Sequence, residues 1–210
     1  SWLFNLRKIT LRVCITYRCN ATCEFCYARG LLEEFPKDMS LDDFGYLVRW
    51  AKQRGWRRIM FLGGEPTIHP QFTEMLDICY SQDIPVSLLT NALFNGNILE
   101  KLNLRPVNDI AVNYPLEDVP LIHRKQFLHN LESLSQGKGF LLLSGILDGQ
   151  TDRWKKIVET AEKLKSIVFW SLPLPTYVGK PTEEKIFSKL RAYGVQLFEI
   201  LKTCAQKDII

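Results

Sequence analysis

The sequence predicts an α/β fold, a partial, open (β/α)6 barrel of TIM-like form with mostly parallel strands. Two observations predict it. Six short β-rich runs occur along the 210 residues, and stretches with helical apolar spacing lie between them. Strands that alternate with helices form βαβ units, which assemble into a parallel sheet with right-handed crossovers. Six units are too few for the usual closed barrel of about eight strands, so we expect an open one.

Short runs rich in apolar and β-branched residues predict the strands. In chain order they are Ile9–Thr16, Arg58–Leu62, Val86–Leu89, Asp109–Val112, Phe140–Ser144 and Ile167–Trp170. Apolar residues that recur every three to four positions predict the helices. These cover Leu41–Arg54, a segment beginning near Pro70, Ile98–Leu102, Leu121–Leu134, Thr151–Lys165 and Thr182–Cys204.

Two of the predicted helices carry recognisable start or stop signals. Ser40 is a candidate N-cap of the first helix, Asp43 follows three residues later, and Gly55 comes after its end. Pro70 is favourable in a first helical turn, so it predicts the start of the second helix.

Composition excludes several classes of protein. With 46% hydrophobic and 24% charged residues, the chain has too much apolar content for a disordered protein. The longest apolar run, Phe140–Leu147, is far shorter than the roughly 20 residues of a membrane-spanning helix. No secretion signal opens the chain, and the net charge of +4 indicates no clear nucleic-acid site. We therefore expect one cytoplasmic domain over residues 1–210, and the apolar end at Ile210 suggests a missing C-terminal extension.

Ligands of parallel α/β folds bind at the carboxyl ends of the strands. Polar, cysteine-containing or glycine-containing segments follow all six predicted strands. They are the cysteine segment, Gly63–Pro66, Thr90–Asn91, Asn113–Tyr114, Ser144–Asp148 and Ser171–Tyr177. The sequence therefore predicts a functional site at this edge of the sheet.

Three cysteines after the first strand have the spacing of a metal centre. Cys19, Cys23 and Cys26 form a C-x3-C-x2-C pattern in a loop, where three thiolates can converge on one point. Three ligands for a four-iron cluster leave one iron open for chemistry, whereas four cysteines close it. The alternatives are a closed ferredoxin-like cluster and a four-cysteine zinc site that uses Cys14. Zinc sites usually pair two separated knuckles, and a second pair is absent from the sequence.

The other three cysteines are interpreted as packing residues. Cys14 lies inside the first predicted strand, between Val13 and Ile15. Cys79 and Cys204 fall on apolar helix faces, where a free cysteine behaves as a small hydrophobic residue.

Three motifs carry a resemblance to a known family. The segment Thr16–Cys26 resembles the signature loop of the radical S-adenosylmethionine (SAM) superfamily, with Phe25 at the aromatic position and Asn20 directly after the first cysteine. The Gly63–Pro66 turn is similar to the family's GGEP element, although a glycine pair alone also suits a tight strand-to-helix turn. Leu89–Ala92 is similar to a Thr-Asn-Gly element, with alanine in place of glycine.

The resemblance implies a [4Fe–4S] cluster held by the three loop cysteines, with SAM on its fourth iron. It implies that Glu65 anchors the loop through hydrogen bonds and that His69 is a helix-entry residue rather than a base. It also implies a set of SAM-binding residues: Phe25, Tyr27, Gly63, Gly64, Glu65, Pro66, Asn91, Asn113, Ser144 and Gly145. Residues that act on the substrate are not identified; Tyr114, Asp148 and Tyr177 are candidates for substrate contact.

The function that the resemblance implies is reductive cleavage of SAM to a 5′-deoxyadenosyl radical, which abstracts a hydrogen atom from an organic substrate. Such an oxidoreductase or transferase needs a one-electron donor, such as a flavodoxin or ferredoxin. An open barrel lacks a lateral wall, so a bulky peptide or protein side chain is favoured over a small metabolite. The alternatives are a non-catalytic iron–sulfur protein for electron transfer or redox sensing, and a zinc-stabilised binding domain. Neither alternative needs a glycine-lined pocket beside the cysteines.

Overall fold

The computed structural model describes residues 10–23, 26, 31–35, 37–104, 107–114, 121–147, 149, 152–171 and 183–207. The strands are β1 (Leu11–Thr16), β2 (Ile59–Gly63), β3 (Val86–Thr90), β4 (Asp109–Asn113), β5 (Phe140–Ile146) and β6 (Ile167–Ser171). The helices are α1 (Leu31–Glu34), α2 (Leu41–Gln53), α3 (Phe72–Ser81), α4 (Gly96–Leu104), α5 (Leu121–Ser135), α6 (Arg153–Leu164) and α7 (Glu183–Gln206).

The six strands form one sheet in the order in which they occur along the chain. Every neighbouring pair, from β1–β2 to β5–β6, is parallel. The helices alternate with the strands, so the predicted open, parallel α/β fold is confirmed. In such a sheet all carboxyl ends lie at one edge, and that edge carries the segments that the sequence singles out.

The main core lies between one face of the sheet and the helices. Side chains alternate along a strand, and Val13 and Ile15 of β1 are buried against the helix layer. The Phe61 ring packs edge-on against the rings of Phe44 and Phe72, with centroids 5.3 and 5.9 Å apart. Each side chain buried this completely contributes about 1.5–3 kcal/mol.

The boundaries of α2 follow the predicted signals. Ser40 Oγ accepts a hydrogen bond from the Asp43 backbone N–H at 3.1 Å, as an N-cap does. Gly55 follows the helix with φ +77°, in the left-handed region that glycine adopts readily.

The start of α3 differs from the prediction, because a short 3-10 helix over Pro66–Ile68 precedes it. Pro70 lies in a turn, and α3 begins at Phe72. The buried His69 ring explains the difference: Nδ1 accepts from the Gln71 N–H at 3.0 Å, and Nε2 lies 3.0 Å from the Met39 carbonyl. His69 therefore has a structural role just before the helix, as expected.

Within the described ranges, none of the helices combines the length and the apolar character needed to cross a membrane.

Candidate active site

The cysteine loop leaves the carboxyl end of β1. Cys19 is exposed, and Cys23 and Cys26 are half-buried. The Ala21 N–H donates to Cys19 Sγ at 3.4 Å, and the Cys26 N–H donates to the Cys23 carbonyl at 3.2 Å. Among the described residues, no three His, Cys, Asp or Glu side chains converge closely enough to hold a metal ion.

The surroundings of Cys19 act on its thiol in both directions. Burial raises the pKa of Cys19, and the nearby Glu65 and Cys26 raise it further, while the backbone N–H groups of Ala21 and Asn20 lower it. The net pKa is above the ordinary value, so the free thiol holds its proton at neutral pH. A metal that binds here displaces that proton.

The Gly63–Pro66 turn packs directly on the start of the cysteine loop. The Gly64 N–H donates to the Thr16 carbonyl, and the Glu65 N–H donates to the Arg18 carbonyl, both at 2.8 Å. A Cβ on Gly63, whose φ is +138°, would lie 2.1 Å from the Thr16 carbonyl oxygen. A Cβ on Gly64 would lie 2.1 Å from the Arg18 carbonyl oxygen. The neighbouring backbone therefore requires both glycines, and their contact with SAM stays a prediction.

Glu65 connects this turn to the end of β3. Its side chain is fully buried, and Oε1 accepts from the Thr67 N–H at 3.1 Å and the Thr67 hydroxyl at 2.6 Å. The Thr90 hydroxyl donates to Oε1 and the Asn91 N–H to Oε2, both at 2.7 Å. Burial raises the pKa of Glu65, and these hydrogen bonds oppose that shift. Glu65 therefore anchors the turn through hydrogen bonds, as expected. Its bonds with Thr67 and Thr90 were not predicted.

Asn91 links the end of β3 to the cysteine loop. Its Nδ2 donates to Asn20 Oδ1 at 2.7 Å and lies 3.9 Å from Cys19 Sγ. Asn20 Nδ2 in turn donates to the Leu93 carbonyl at 2.9 Å. Three strand ends, those of β1, β2 and β3, are thus tied together around Cys19.

Ala92, which replaces the family's glycine, adopts a left-handed conformation with φ +56° and is fully buried. This conformation costs a non-glycine residue about 1 kcal/mol. Nearby hydrogen bonds offset the cost: the Thr90 hydroxyl accepts from the Ala92 N–H, and Asn130 Nδ2 donates to the Ala92 carbonyl at 2.9 Å.

An ion pair that no sequence pattern indicated holds the start of the cysteine loop. The Arg18 guanidinium binds Asp38 through two nitrogens, and the buried Thr16 hydroxyl donates to Asp38 Oδ1 at 2.6 Å. Burial raises the pKa of Asp38, but the hydrogen bonds from Arg18 and Thr16 outweigh it and leave the pKa below the ordinary value.

We expect Asp38→Asn to lower the free energy of unfolding of the metal-free protein by about 1 kcal/mol at neutral pH, since the pair is partly exposed. A carboxyl whose pKa is lowered by folding stabilises the protein above its unfolded pKa, about 3.9. That contribution disappears as the pH falls through the folded pKa. Urea unfolding of both proteins across acidic pH should therefore show the difference shrinking towards zero. A difference that stays constant with pH would contradict the ionic role.

The ends of β4 and β5 carry the remaining described SAM-site candidates. Asn113, half-buried, pairs in register with Ser144, which is buried. A Cβ on Gly145 would lie 2.2 Å from the Trp170 ring, so the indole already fills the space beside this glycine. Packing against Trp170 therefore explains why a glycine stands at position 145. The contact of Gly145 with adenine stays a prediction.

Several other predicted residues have different outcomes. Phe25, Tyr27, Asp148 and Tyr177 lie outside the described residues. The prediction that Tyr114 contacts the substrate was wrong. Tyr114 is buried, its hydroxyl lies 2.8 Å from Thr160 Oγ1, and its ring packs on Phe127. These partners belong to α6 and α5, so the side chain points into the helix layer.

Of the cysteines outside the loop, Cys79 and Cys204 pack in apolar surroundings and Cys14 is a strand residue, as expected. Cys79 is buried in the core, and burial raises its pKa to about 12. Cys204 on α7 is partly buried beside a smaller cluster that includes Ile200 and Trp154. Cys14 is half-buried on the sheet face opposite Val13 and Ile15.

By residue type and sequence spacing, though not by the present distances between the side chains, the donor set of the loop fits an iron–sulfur cluster with one open iron. It offers three thiols in one short loop, and two N–H donors, those of the Ala21 backbone and the Asn91 side chain, already lie beside the sulfur of Cys19. Amide donors of this kind stabilise a cluster thiolate. The neighbouring glycine turn is hydrogen-bonded to the same loop.

Comparison with known proteins identifies relatives of this chain. Among curated proteins, a probable GTP 3′,8-cyclase of Methanococcus maripaludis is 30% identical over 131 residues, which cover 61% of this chain and 43% of the relative. The protein of the same name from Methanothermobacter marburgensis is 29% identical over 140 residues, with the same coverage. The chain thus spans less than half the length of these curated relatives.

Solved structures share the fold at low sequence identity. Streptococcus suis SuiB bound to its precursor peptide SuiA has a TM-score of 0.73 at 16% identity, covering 97% of this chain and 47% of SuiB. The native structure of anSMEcpe with bound AdoMet has a TM-score of 0.66 at 16% identity, covering 83% of this chain and 54% of that chain. Residues 13–186 match the family model for the Radical SAM superfamily. With that match over most of its length, and with the cysteine loop and glycine turn in contact, the chain belongs to the radical SAM superfamily.

Proposed function

We propose that this protein uses a reduced [4Fe–4S] cluster to cleave SAM and abstract a hydrogen atom from an organic substrate. Members of the family bind a [4Fe–4S] cluster and SAM. When bound, the reduced cluster supplies the electron that splits the sulfonium C–S bond of SAM into methionine and a 5′-deoxyadenosyl radical. The observation that carries the proposal is the hydrogen-bonded contact of the cysteine loop with the Gly63–Pro66 turn and Asn91.

The residues of the loop would hold the cluster. Cys19, Cys23 and Cys26 supply three thiolates, and the remaining iron has no protein ligand from this set. The Ala21 N–H and the Asn91 amide donate towards the sulfur of Cys19 and stabilise its negative charge. Arg18, paired with Asp38, fixes the backbone that leads into the loop.

The strand ends beside the loop would hold SAM. The proposed contacts are the Gly63–Pro66 turn through its half-buried glycines, Asn91, Asn113, and the backbone of Ser144 and Gly145. Asn113 and Ser144 are neighbours across β4 and β5, so one ligand can span both strand ends. Glu65 has all its described bonds within the protein, and its part is to hold the turn in place.

Near β6, the face of the sheet opposite the helix layer carries exposed apolar side chains. Ile167 and Phe169 are 46% and 43% exposed, and Phe169 pairs in register with Ser144. A radical intermediate must be kept from water, and these apolar side chains offer a surface that a bulky substrate would cover. We therefore favour a peptide or protein side chain as substrate, as in SuiB, whose structure with its precursor peptide shares the fold.

A nucleotide is the second candidate substrate. The curated relatives named probable GTP 3′,8-cyclase are up to 30% identical to this chain, a closer likeness in sequence than that of SuiB. In that case the sheet face that carries Phe169 would bind a purine nucleoside triphosphate.

The test is anaerobic reconstitution with iron and sulfide, followed by SAM and dithionite, with 5′-deoxyadenosine measured by mass spectrometry. A loaded cluster with production of 5′-deoxyadenosine supports the proposal, and a flavodoxin or ferredoxin should replace dithionite. An intact cluster that yields no 5′-deoxyadenosine overturns it in favour of an electron-transfer protein. Stoichiometric zinc without iron uptake overturns it in favour of a zinc-stabilised domain.

The same assay separates the two substrate classes. Peptides with deuterated side chains and GTP deuterated on its ribose are offered in parallel, and deuterium in 5′-deoxyadenosine identifies the source of the abstracted atom. Transfer from GTP alone would overturn the preference for a peptide.

A further inference from the structure

The side-chain amide of Asn91 is held in one orientation. Its oxygen accepts from the Leu93 N–H at 2.9 Å, and the Asn91 backbone N–H is fixed by Glu65 Oε2 at 2.7 Å. An amide nitrogen cannot accept a hydrogen bond from the Leu93 N–H, so the assignment of oxygen and nitrogen is determined by this contact.

The amide nitrogen therefore faces the cysteine loop. It donates to Asn20 Oδ1 at 2.7 Å and has Cys19 Sγ as a second neighbour at 3.9 Å. Nδ2 has two hydrogens, which suffices for both neighbours. Asn91 is buried, with 7% of its surface exposed, so water competes little for these contacts.

A donor beside a cluster thiolate has a defined electrical effect. Hydrogen bonds to the sulfurs set the reduction potential of an iron–sulfur cluster. Reduction adds negative charge that spreads onto the thiolates, so a donor stabilises the reduced form more than the oxidised form and raises the potential.

We propose that Asn91 is a positioning residue that orients Cys19 through Asn20 and raises the reduction potential of the cluster through its N–H beside the Cys19 sulfur. This inference rests on the proposed function, because it requires the cluster. This role towards the cluster ligand is separate from the SAM contact that is proposed for Asn91 above.

Asn91→Ser is the discriminating variant. A serine hydroxyl can still accept from the N–H two residues on, but it is too short to reach Asn20 or Cys19. At a fixed potential we expect the ratio of reduced to oxidised cluster to fall about tenfold, a shift of roughly 59 mV to lower potential for a one-electron couple. The reconstituted full chain is titrated without SAM, and the reduced cluster is counted by electron paramagnetic resonance.

Gln126→Leu is the matched control. Gln126 Nε2 donates to the Phe94 carbonyl of the same turn at 2.8 Å, so it supports the turn as Asn91 does. Gln126→Leu should leave the reduction potential of the cluster unchanged, although it also removes one hydrogen bond that a side-chain amide donates. Asn91→Asp is the second variant if Asn91→Ser does not fold, because it keeps the size and the acceptor for Leu93. It replaces the donor by a negative oxygen and should shift the potential further downward.

The outcomes separate the two proposals. A wild-type protein that takes up no cluster overturns the proposed function and this inference together. If the wild-type protein takes up the cluster, and the cluster of Asn91→Ser or Asn91→Asp has the same reduction potential as that of the wild type, this inference is overturned and the proposed function is not. A shift of equal size in Gln126→Leu also overturns it, since loosening of the turn would then explain the effect.

Discussion

Gly64→Ala should detach the glycine turn from the cysteine loop and lower the free energy of unfolding by about 3 kcal/mol. The new Cβ would lie 2.1 Å from the Arg18 carbonyl oxygen and 2.5 Å from the Tyr17 carbonyl oxygen. Both obstacles are backbone atoms, so no side-chain rotation relieves the clash. Urea unfolding of the metal-free protein measures the stability, and iron content after reconstitution measures the loss of cluster binding.

Gly96→Ala is the control for this substitution. Gly96 begins α4, and a Cβ there would meet nothing within 4 Å. Alanine favours a helix over glycine by about 0.5–1 kcal/mol, so this variant should be neutral or slightly stabilised. Equal stability of the two variants would show that the turn can move away from Arg18 at little cost.

Cys19→Ser should abolish iron–sulfur loading, with the same result for Cys23→Ser and Cys26→Ser. The iron content should fall from about four atoms per chain to less than one, and 5′-deoxyadenosine should disappear. The fold should persist, because Cys19 lies in an exposed loop, and surface substitutions usually change stability by about 0.5 kcal/mol or less. Iron and sulfide assays after anaerobic reconstitution provide the measurement.

Cys14→Ser and Cys204→Ser are the controls for the cysteine series. Both thiols are half-buried outside the loop, so their replacement tests general effects of cysteine loss. Both variants should keep the cluster. If Cys14→Ser also lost the cluster, the site would be a closed one with four cysteine ligands.

The fold was predictable because the strands and most of the long helices show hydrophobic periodicity. Val13 and Ile15 alternate with Cys14 in β1, and that alternation alone predicts which of them face the helices. Element ends were less predictable, because tertiary contacts contribute to them. The His69 ring precedes α3, and its Nε2 lies 3.0 Å from the carbonyl of the distant Met39, a contact that the sequence near His69 does not indicate.

The site was predictable only as far as its motifs reach. Spacing identified Cys19 and its partners, and the paired glycines marked the turn beside them. Asp38 has no pattern around it, yet it holds the loop through Arg18. Tyr114 could have been placed correctly, since strand alternation puts it on the face opposite Asn113, towards the helices. The steric need for Gly64 comes from residues some 46 positions earlier and lies beyond local sequence analysis.

The left-handed backbone of Ala92 bears on the order in which this edge is assembled. Alanine does not favour that conformation, so the local sequence leaves the turn after β3 undefined. The Ala92 carbonyl is held by Asn130, and the Phe94 carbonyl by the same amide, both from α5. The turn therefore depends on the docking of α5 as well as on its own side chains, and residues 86–95 cut out as a peptide would lack the support of Asn130. A segment that contacts Cys19 is thus held in shape by a helix almost forty positions further along the chain.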